Sequence, residues 1–393
     1  MKAFGTLYVF EMKKILGQRL ALVSLLLGVV MIFGWNLVTL HSTGYYYAFD
    51  AQENNVERLP RSYGEVEEIR RDYMRGLSGQ ELDDILMEQL TAGYGDSDTG
   101  TRQWNLNSYS PFRYLNTMLS RVGVTAQGFY RSEVWSFWVN PEENLLTQEE
   151  IAYWQGQASG LGTFTLDYAG GWQAMAQDCG LLCQVVVLLS AACLCRLYAE
   201  EHRTRTDQLV LTSARGKTTA FWARWCAGVS FAAGLTLALS GVYLLAYCLF
   251  YGPDGFSTAL QLWSEGTALP LHLSMGGYVL VMVALLVLGC MAMVSLVMFL
   301  SELLRWAVVA LVVPFLLAGV TALGLFQGQG RLVEQISSYL PFLRVSTHTL
   351  TDYYLAPFHL NAIQFSVPVY GLVALVCGGL CWLCYRRYQV TGR

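Results

Sequence analysis

Residues 272–300 read HLSMGGYVLVMVALLVLGCMAMVSLVMFL and contain no Asp, Glu, Lys or Arg. An α-helix of about 20 apolar residues is long enough to cross the hydrocarbon core of a bilayer. Because a helix satisfies its own backbone hydrogen bonds, an apolar run of this length is expected to be helical in lipid. Polar and apolar residues do not alternate along the run, as they would in a strand of a membrane β-barrel. The stretch therefore predicts a membrane-spanning helix.

Similar runs recur along the 393-residue chain, which is 54% hydrophobic and 14% charged. A soluble domain carries about 25% charged residues. The predicted fold class is an all-α polytopic membrane protein with six transmembrane helices, an N-terminal interfacial helix and a mainly helical extracytoplasmic insert. The six spans are predicted at 20–40, 176–198, 225–251, 272–300, 306–326 and 367–385. The segments between and around them are 1–19, 41–175, 199–224, 252–271, 301–305, 327–366 and 386–393.

The basic residues orient the predicted spans. Lysine occurs only at positions 2, 13, 14 and 217, and six spans place all four positions on one side. Most of the remaining basic residues outside the insert, including Arg305 and the three arginines of the C-terminal tail, fall on the same side. Since basic residues are enriched in cytoplasmic segments, we expect a multi-pass protein of the cell membrane with both termini in the cytoplasm.

The insert has the opposite charge. Residues 42–172 contain 19 acidic residues, nine arginines and no lysine, so we expect this segment outside the cell. The first apolar run is long and no small-residue cleavage site follows it, which favours a retained signal-anchor span over a removed signal peptide.

Several local patterns predict helices in the insert. Ser78 and Glu81 have the spacing of a capping box and precede leucines at helical intervals. A second helix is predicted to run from Pro141 to about Trp154 and to restart at Thr147, and a third to follow Pro111. A set of three polar residues resembles part of a calcium loop but lacks the rest of the ligand series; these are Asp96, Asp98 and Thr101.

The ten cysteines all lie in or beside the spans, and none lies in the insert. Disulfides are therefore not expected to hold the outer domain together. A soft-metal site would need the cysteines that lie close together in the second and last spans, namely Cys193, Cys195, Cys377, Cys381 and Cys384. The interpretation we favour is that they act as small apolar residues of helices.

Three further expectations concern the spans and the last outer loop. Residues 327–366 are rich in Leu, Phe and Tyr and are interrupted by prolines, which predicts short broken helices at the interface or dipping into the membrane. Pro314 is expected to kink the fifth span. Asp178 and Glu302 lie near span ends, and we interpret them as interfacial anchors.

The segment RTRTDQLVLTSARGKTTAFWARW, residues 203–225, raises the question of nucleotide binding because it contains Gly216-Lys217-Thr218. A phosphate-binding loop requires G-x-x-x-x-G-K-[ST], but the position five residues before Gly216 is Leu211. The run from Leu209 to Leu211 instead predicts a short amphipathic element within a basic loop. The chain is therefore not expected to hydrolyse ATP itself.

This loop resembles the cytoplasmic loop of ABC-2-type ABC transporter permeases, in the subset with a large domain between the first two spans. The matching positions are the acidic start Glu200-Glu201, then Thr206, Leu209, Leu211, Thr212-Ser213 and Lys217, with Ala223-Arg224 where Gly-Lys is usual. Two positions depart from the pattern, because Arg205 replaces a common Gly and Ala214 replaces the usual Pro. Three further features extend the resemblance: the six-span layout, the apolar broken outer loop before the last span, and an N-terminal amphipathic segment with Phe4, Leu7, Tyr8, Met12 and Ile15 on its apolar face.

The resemblance implies a permease subunit whose loop carries a coupling helix that docks onto a separate ATP-binding subunit. The residues it implies for this contact are Glu200, Glu201, Arg203, Arg205, Thr206, Asp207, Leu209, Leu211, Thr212, Ser213 and Lys217. It also implies export, a second permease copy as partner, and ATP and Mg in the partner subunit, with no cofactor, metal or nucleic acid bound by this chain.

Two other classes of function remain open. A membrane-anchored sensor would use the outer insert to bind a ligand, although six spans are many for an anchor. An intramembrane prenyl-protease-like enzyme would use the signature formed by Glu200, Glu201 and Arg205, with His348 and Asp352 as part of a second signature. The predicted topology puts these two groups on opposite sides of the membrane, which disfavours the enzyme.

Overall fold

The computed structural model describes residues 2–50, 55–86, 147–204, 218–263, 270–326, 329–345, 354–355 and 360–391. Helices dominate this part of the chain. They are α1 (Lys2–Leu16), α2 (Arg19–His41), α3 (Tyr63–Arg75), α4 (Gln148–Ser159), α5 (Gly170–Leu194), α6 (Arg196–Thr204), α7 (Thr219–Tyr251), α8 (Met275–Leu304), α9 (Ala307–Ala322), α10 (Arg331–Ser337), α11 (Pro341–Arg344) and α12 (Ala362–Thr391). The strands are β1 (Thr43–Asp50), β2 (Asn55–Ser62), β3 (Tyr354–Leu355) and β4 (Leu360–Asn361).

Five helical segments in the described part are long and apolar enough to cross a membrane: α2, α5 with the start of α6, α7, α8 and α12. The chain is therefore a helical, polytopic membrane protein, as predicted. The predicted fifth span falls on α9, which has 16 residues and carries Pro314 in its interior. At 1.5 Å per residue α9 is about 24 Å long, less than the roughly 30 Å of a hydrocarbon core. The predicted fifth span, and with it the total of six spans, thus stays a prediction.

Helix α8 lies at the centre of the bundle. It packs against α5, α7, α9 and α12, and its Tyr278, Met282 and Val294 are almost completely buried. Helices α2 and α12 lie at the periphery, where Val30 of α2 and Leu375 of α12 are well exposed. Apolar side chains on such outer faces are what a helix in contact with lipid requires, because lipid offers no partner for polar groups.

The N-terminal helix α1 is separate from α2, and Gly17 and Gln18 connect the two helices. Helix α1 packs along α7, with Ile15 fully buried against the core. A buried ion pair joins the two helices, because Arg224 Nη2 of α7 donates to Glu11 Oε1 of α1 at 3.2 Å. Lys14 lies on the exposed face of α1.

The insert contains a β-hairpin that the sequence interpretation did not predict. Strand β1 pairs antiparallel with β2, and α3 follows directly. Ser62 caps α3 reciprocally, since the Glu65 N–H donates to Ser62 Oγ at 3.3 Å and the Ser62 N–H donates to Glu65 Oε2 at 3.0 Å. This capping box satisfies two of the backbone donors that the first turn of a helix leaves unpaired.

The capping box predicted at Ser78 and Glu81 is wrong, whereas residues 84–86 of the predicted helical run are helical, and Asp83 Oδ1 accepts from the Leu86 N–H at 2.7 Å. Residues 76–79 form a turn, and Ser78 Oγ donates to Asp167 Oδ1 at 2.9 Å. Glu81 forms an isolated β-bridge with Thr165. Partners almost 90 residues away in the sequence therefore take the groups that a local capping box would use, and a spacing rule based on neighbouring residues misses them.

The cap predicted at Thr147 is confirmed. Its hydroxyl accepts from the Glu150 N–H, and the Glu150 carboxylate accepts from the Thr147 N–H at 2.6 Å, so that α4 begins with a complete capping box. The part of the predicted helix before Thr147 and the helix predicted after Pro111 lie outside the described residues. So does the weak calcium-loop pattern of Asp96, Asp98 and Thr101.

In its described part, the segment 327–366, which the sequence predicts as an outer loop, contains the short helices α10 and α11 and the short antiparallel strands β3 and β4. Its two arginines are held by the fold. Arg331 forms an ion pair with the capping carboxylate of Glu150, which joins the loop to α4. Arg344 is 1% exposed, donates to Ser338 Oγ at 2.7 Å and lies over the Tyr339 ring.

Candidate functional site

Helix α6 extends from the end of α5 with a one-residue break at Cys195. Ser301 of α8 bridges this break, because its hydroxyl accepts from the Ala199 N–H at 3.1 Å and donates to the Cys195 carbonyl at 2.7 Å. The break leaves backbone groups without intrahelical partners. The fully buried side chain of Ser301 forms hydrogen bonds with two of these groups. We call the end of the bundle that carries α6, Thr218 and Arg305 the loop end.

Of the residues implied by the family resemblance, Glu200, Glu201 and Arg203 lie on α6. Arg203 Nη2 donates to Glu200 Oε1 at 2.5 Å, and both side chains are largely exposed. The structure describes only the backbone of Glu201. The rest of the implied set lies outside the described residues, namely Arg205, Thr206, Asp207, Leu209, Leu211, Thr212, Ser213 and Lys217.

A cavity of about 580 Å³ lies beside α6 at the loop end. Its wall includes three arginines, Arg196, Arg203 and Arg305, together with Glu200 and the exposed Trp306. Arg305 ends α8 in the left-handed conformation, with φ 58°, so the chain turns sharply into α9. The exposed part of α6 thus stands in a polar, mostly basic surface next to the ends of α8 and α9.

The start of α7 is fixed to the rest of the bundle at the same end. Arg224 is 3% exposed, pairs with Glu11 and lies over the Tyr198 ring of α6. Glu302, predicted as an interfacial anchor, is 4% exposed in the last turn of α8. The segment 205–217 is therefore connected on both sides to helices that the core holds in place.

A second cavity, of about 350 Å³, lies between α2, α5 and α7 near the start of α5; we call it the α2–α5–α7 groove. Its wall is mostly apolar, and its size is within the range of about 300–1,000 Å³ that small-molecule sites occupy. The lining residues include Met31, Ile32, Gly34, Trp35, Asn36, Val38, Asp178, Leu181, Leu182, Val185, Tyr243 and Tyr247.

Asp178 joins the three helices that form the groove. Trp35 Nε1 of α2 donates to its Oδ2 at 3.1 Å, and the Tyr247 hydroxyl of α7 donates to the same oxygen. Tyr243, one turn earlier on α7, donates to the Met175 carbonyl of α5 at 2.6 Å. The interfacial-anchor interpretation of Asp178 did not include this role, because Trp35 is 143 residues away in the sequence.

The cysteines occupy apolar positions of the helices. Cys193 Sγ donates to Ser24 Oγ at 3.3 Å, and Cys381 is fully buried against α8. Within the described ranges, no group of three or more His, Cys, Asp or Glu residues is arranged to hold a metal ion. His348 and Asp352, which the protease-like alternative requires, lie outside those ranges.

Comparison with known proteins identifies no relative of this chain. The chain matches no protein-family model, no curated protein and no solved structure.

Proposed function

We propose that the chain is the permease subunit of an ATP-driven transporter, and that residues 199–224 receive movement from a separate ATP-binding subunit. In this proposal the α9 segment completes six spans, both termini are cytoplasmic and the insert lies outside. ATP and Mg belong to the partner. A second permease copy completes the pathway, and the direction is export of a hydrophobic or amphipathic substrate.

One observation carries the proposal: a polar segment with the charge and leucine pattern of a coupling helix connects α6 to α7. Helices α5 and α7 both pack on the central α8. Ser301 binds the α5–α6 break to α8, and Arg224 binds the start of α7 to α1. A force applied to residues 205–217 would therefore act on helices that move as rigid elements, the usual way in which packed structures transmit movement.

The test is purification of the full chain from its native membrane in mild detergent, followed by identification of stoichiometric subunits. We expect a subunit with a Walker A motif that binds ATP. The variant Leu209→Asp should lose this subunit while still inserting in the membrane, because a carboxylate cannot enter an apolar groove without a partner. Asp254→Asn is the matched control, since Asp254 is an exposed residue beyond the other end of α7.

A chain that purifies without any ATP-binding subunit, but binds a ligand through residues 42–172, would contradict the proposal and favour a membrane-anchored sensor. Retention of the ATP-binding subunit by Leu209→Asp would contradict the role of the loop.

A further inference from the structure

We propose that the α2–α5–α7 groove binds an amphiphile with a primary ammonium head and an aliphatic tail, with Asp178 as the counter-charge. The inference deepens the proposed function, on which it rests for the identification of the amphiphile as a transported substrate. Binding itself is a property of this chain alone.

The charge of the groove comes from one carboxylate. Both protein donors, Trp35 and Tyr247, reach Oδ2 of Asp178, and none of the described residues donates to Oδ1. A carboxylate accepts up to about four hydrogen bonds, so Asp178 retains capacity for a ligand. An ionisable residue inside a membrane protein requires a partner, and an ammonium group supplies both the opposite charge and N–H donors.

Asn36 adds a second acceptor to the residues that line the groove. Asn36 is 1% exposed, and its Nδ2 donates to the Ile32 carbonyl at 3.0 Å. Its Oδ1 is buried and accepts from no residue in the described part of the chain. Two acceptors with free capacity select a ligand that donates several hydrogen bonds, and a primary ammonium has three N–H groups. A quaternary ammonium has the charge but no such donor.

The remainder of the groove fits an aliphatic tail. Its other wall residues include Met31, Val38, Leu181 and Val185, and Met31 and Val38 are exposed on the outer face of α2, which gives the groove a side open toward lipid. An apolar chain can therefore enter from the membrane while its ammonium group stays at Asp178. Ligand sites of this kind combine an apolar wall with a few polar groups that fix orientation.

The test uses purified full-length chain in phosphatidylglycerol nanodiscs, without an ATP-binding subunit. The probe is dodecylamine with a photoreactive diazirine at the end of its chain, and the labelled peptides are mapped by mass spectrometry. We expect saturable labelling on α2 and α5 at the groove. Dodecanol with the same diazirine should label these peptides at least tenfold more weakly, and dodecyltrimethylammonium should compete less well than dodecylamine.

Two variants test the geometry independently. Asp178→Asn keeps an acceptor for Trp35 and Tyr247 but removes the charge, and we expect affinity to fall about tenfold or more. Gly34→Phe fills the groove without changing any charge, because a Cβ at Gly34 meets nothing within 4 Å, and labelling should disappear. Asp254→Asn is again the control and should bind like the unchanged chain.

Equal labelling by the amine and the alcohol, or labelling that survives Gly34→Phe, would overturn the proposal. Loss of labelling on addition of phosphatidylethanolamine, which also has a primary ammonium head and aliphatic tails, would support the proposal and identify a bilayer lipid as the source of the ligand. Because no ATP-binding subunit is present, these outcomes leave the proposed function standing. Conversely, a chain that binds dodecylamine but purifies without such a subunit would support the binding site in the groove and contradict the proposed transporter function.

Discussion

Arg224 and Glu11 form an ion pair between helices that are more than 200 residues apart in the sequence. Both side chains are at least nine-tenths buried. Removal of one partner leaves a buried charge, so we expect Arg224→Met or Glu11→Leu to lower the free energy of unfolding by about 3–5 kcal/mol. The double variant should recover most of this loss, because an apolar pair of similar volume replaces a desolvated ion pair at little net cost.

Unfolding of purified protein in detergent, followed by helical circular dichroism, measures these differences. Lys14→Met is the control on the same helix. Its side chain is 44% exposed and its nitrogen lies 3.9 Å from Glu11, so the change should stay below about 1 kcal/mol. A loss in the double variant equal to the sum of the two single losses would show that the two side chains act independently, and would contradict this account of the pair.

At the scale of residues, the sequence predicts contacts between residues that are a few positions apart. The Thr147–Glu150 cap depends on two residues three positions apart, and the structure contains it. Asp178 and Arg224 depend on partners from other helices, and no local pattern identifies those partners. The position of Asn36 within the apolar run 20–40 is a sequence signal for a polar contact, because polar groups inside a membrane span need partners.

At the scale of elements, the apolar runs identify the long helices because length and hydropathy alone determine whether a helix can span a membrane. The hairpin β1–β2 was missed although β1 contains three consecutive tyrosines, Tyr45 to Tyr47, and aromatic residues favour strands. The helix predicted to start at Ser78 begins only at residue 84, because residues 78–82 pair with residues 164–167. Such tertiary pairing overrides local helix signals when the partner segment provides backbone hydrogen bonds.

The break between α5 and α6 also escaped prediction. The sequence changes from an apolar to a polar run near Cys195, and no Pro or Gly lies beside this residue. No helix-breaking residue therefore indicates where the break falls. Its position follows from Ser301, which takes the Ala199 N–H and donates to the Cys195 carbonyl. Tertiary contact with α8 therefore determines where α5 ends and α6 begins.

At the scale of the whole molecule, the four lysines provide a test of orientation. All of them, and the N-terminal amine, are predicted in the cytoplasm, and Lys13 and Lys14 have exposed side chains. A membrane-impermeant amine reagent should therefore leave the chain unlabelled in intact cells and label it in inside-out vesicles. Labelling in intact cells would place at least one of these amines outside and reverse or change the topology.

The arrangement of the bundle could not be predicted from the sequence. Hydropathy predicts which segments enter the membrane, but it does not indicate that α8 is central, that α1 packs along α7 or that α2, α5 and α7 enclose a groove. These features depend on side-chain shape and on a few buried polar contacts, because apolar helices in lipid gain little from apolar burial itself.

The central claim is that residues 199–224 contact an ATP-binding subunit, and a photo-crosslinking amino acid at position 209 tests it most directly. Introduced in place of Leu209 in the full chain and activated in the native membrane, it should capture one dominant partner, which carries a Walker A motif and binds ATP. The same amino acid at Asp254 should not capture that partner. An absence of adducts at position 209, or capture of the ATP-binding subunit only from position 254, would contradict the account.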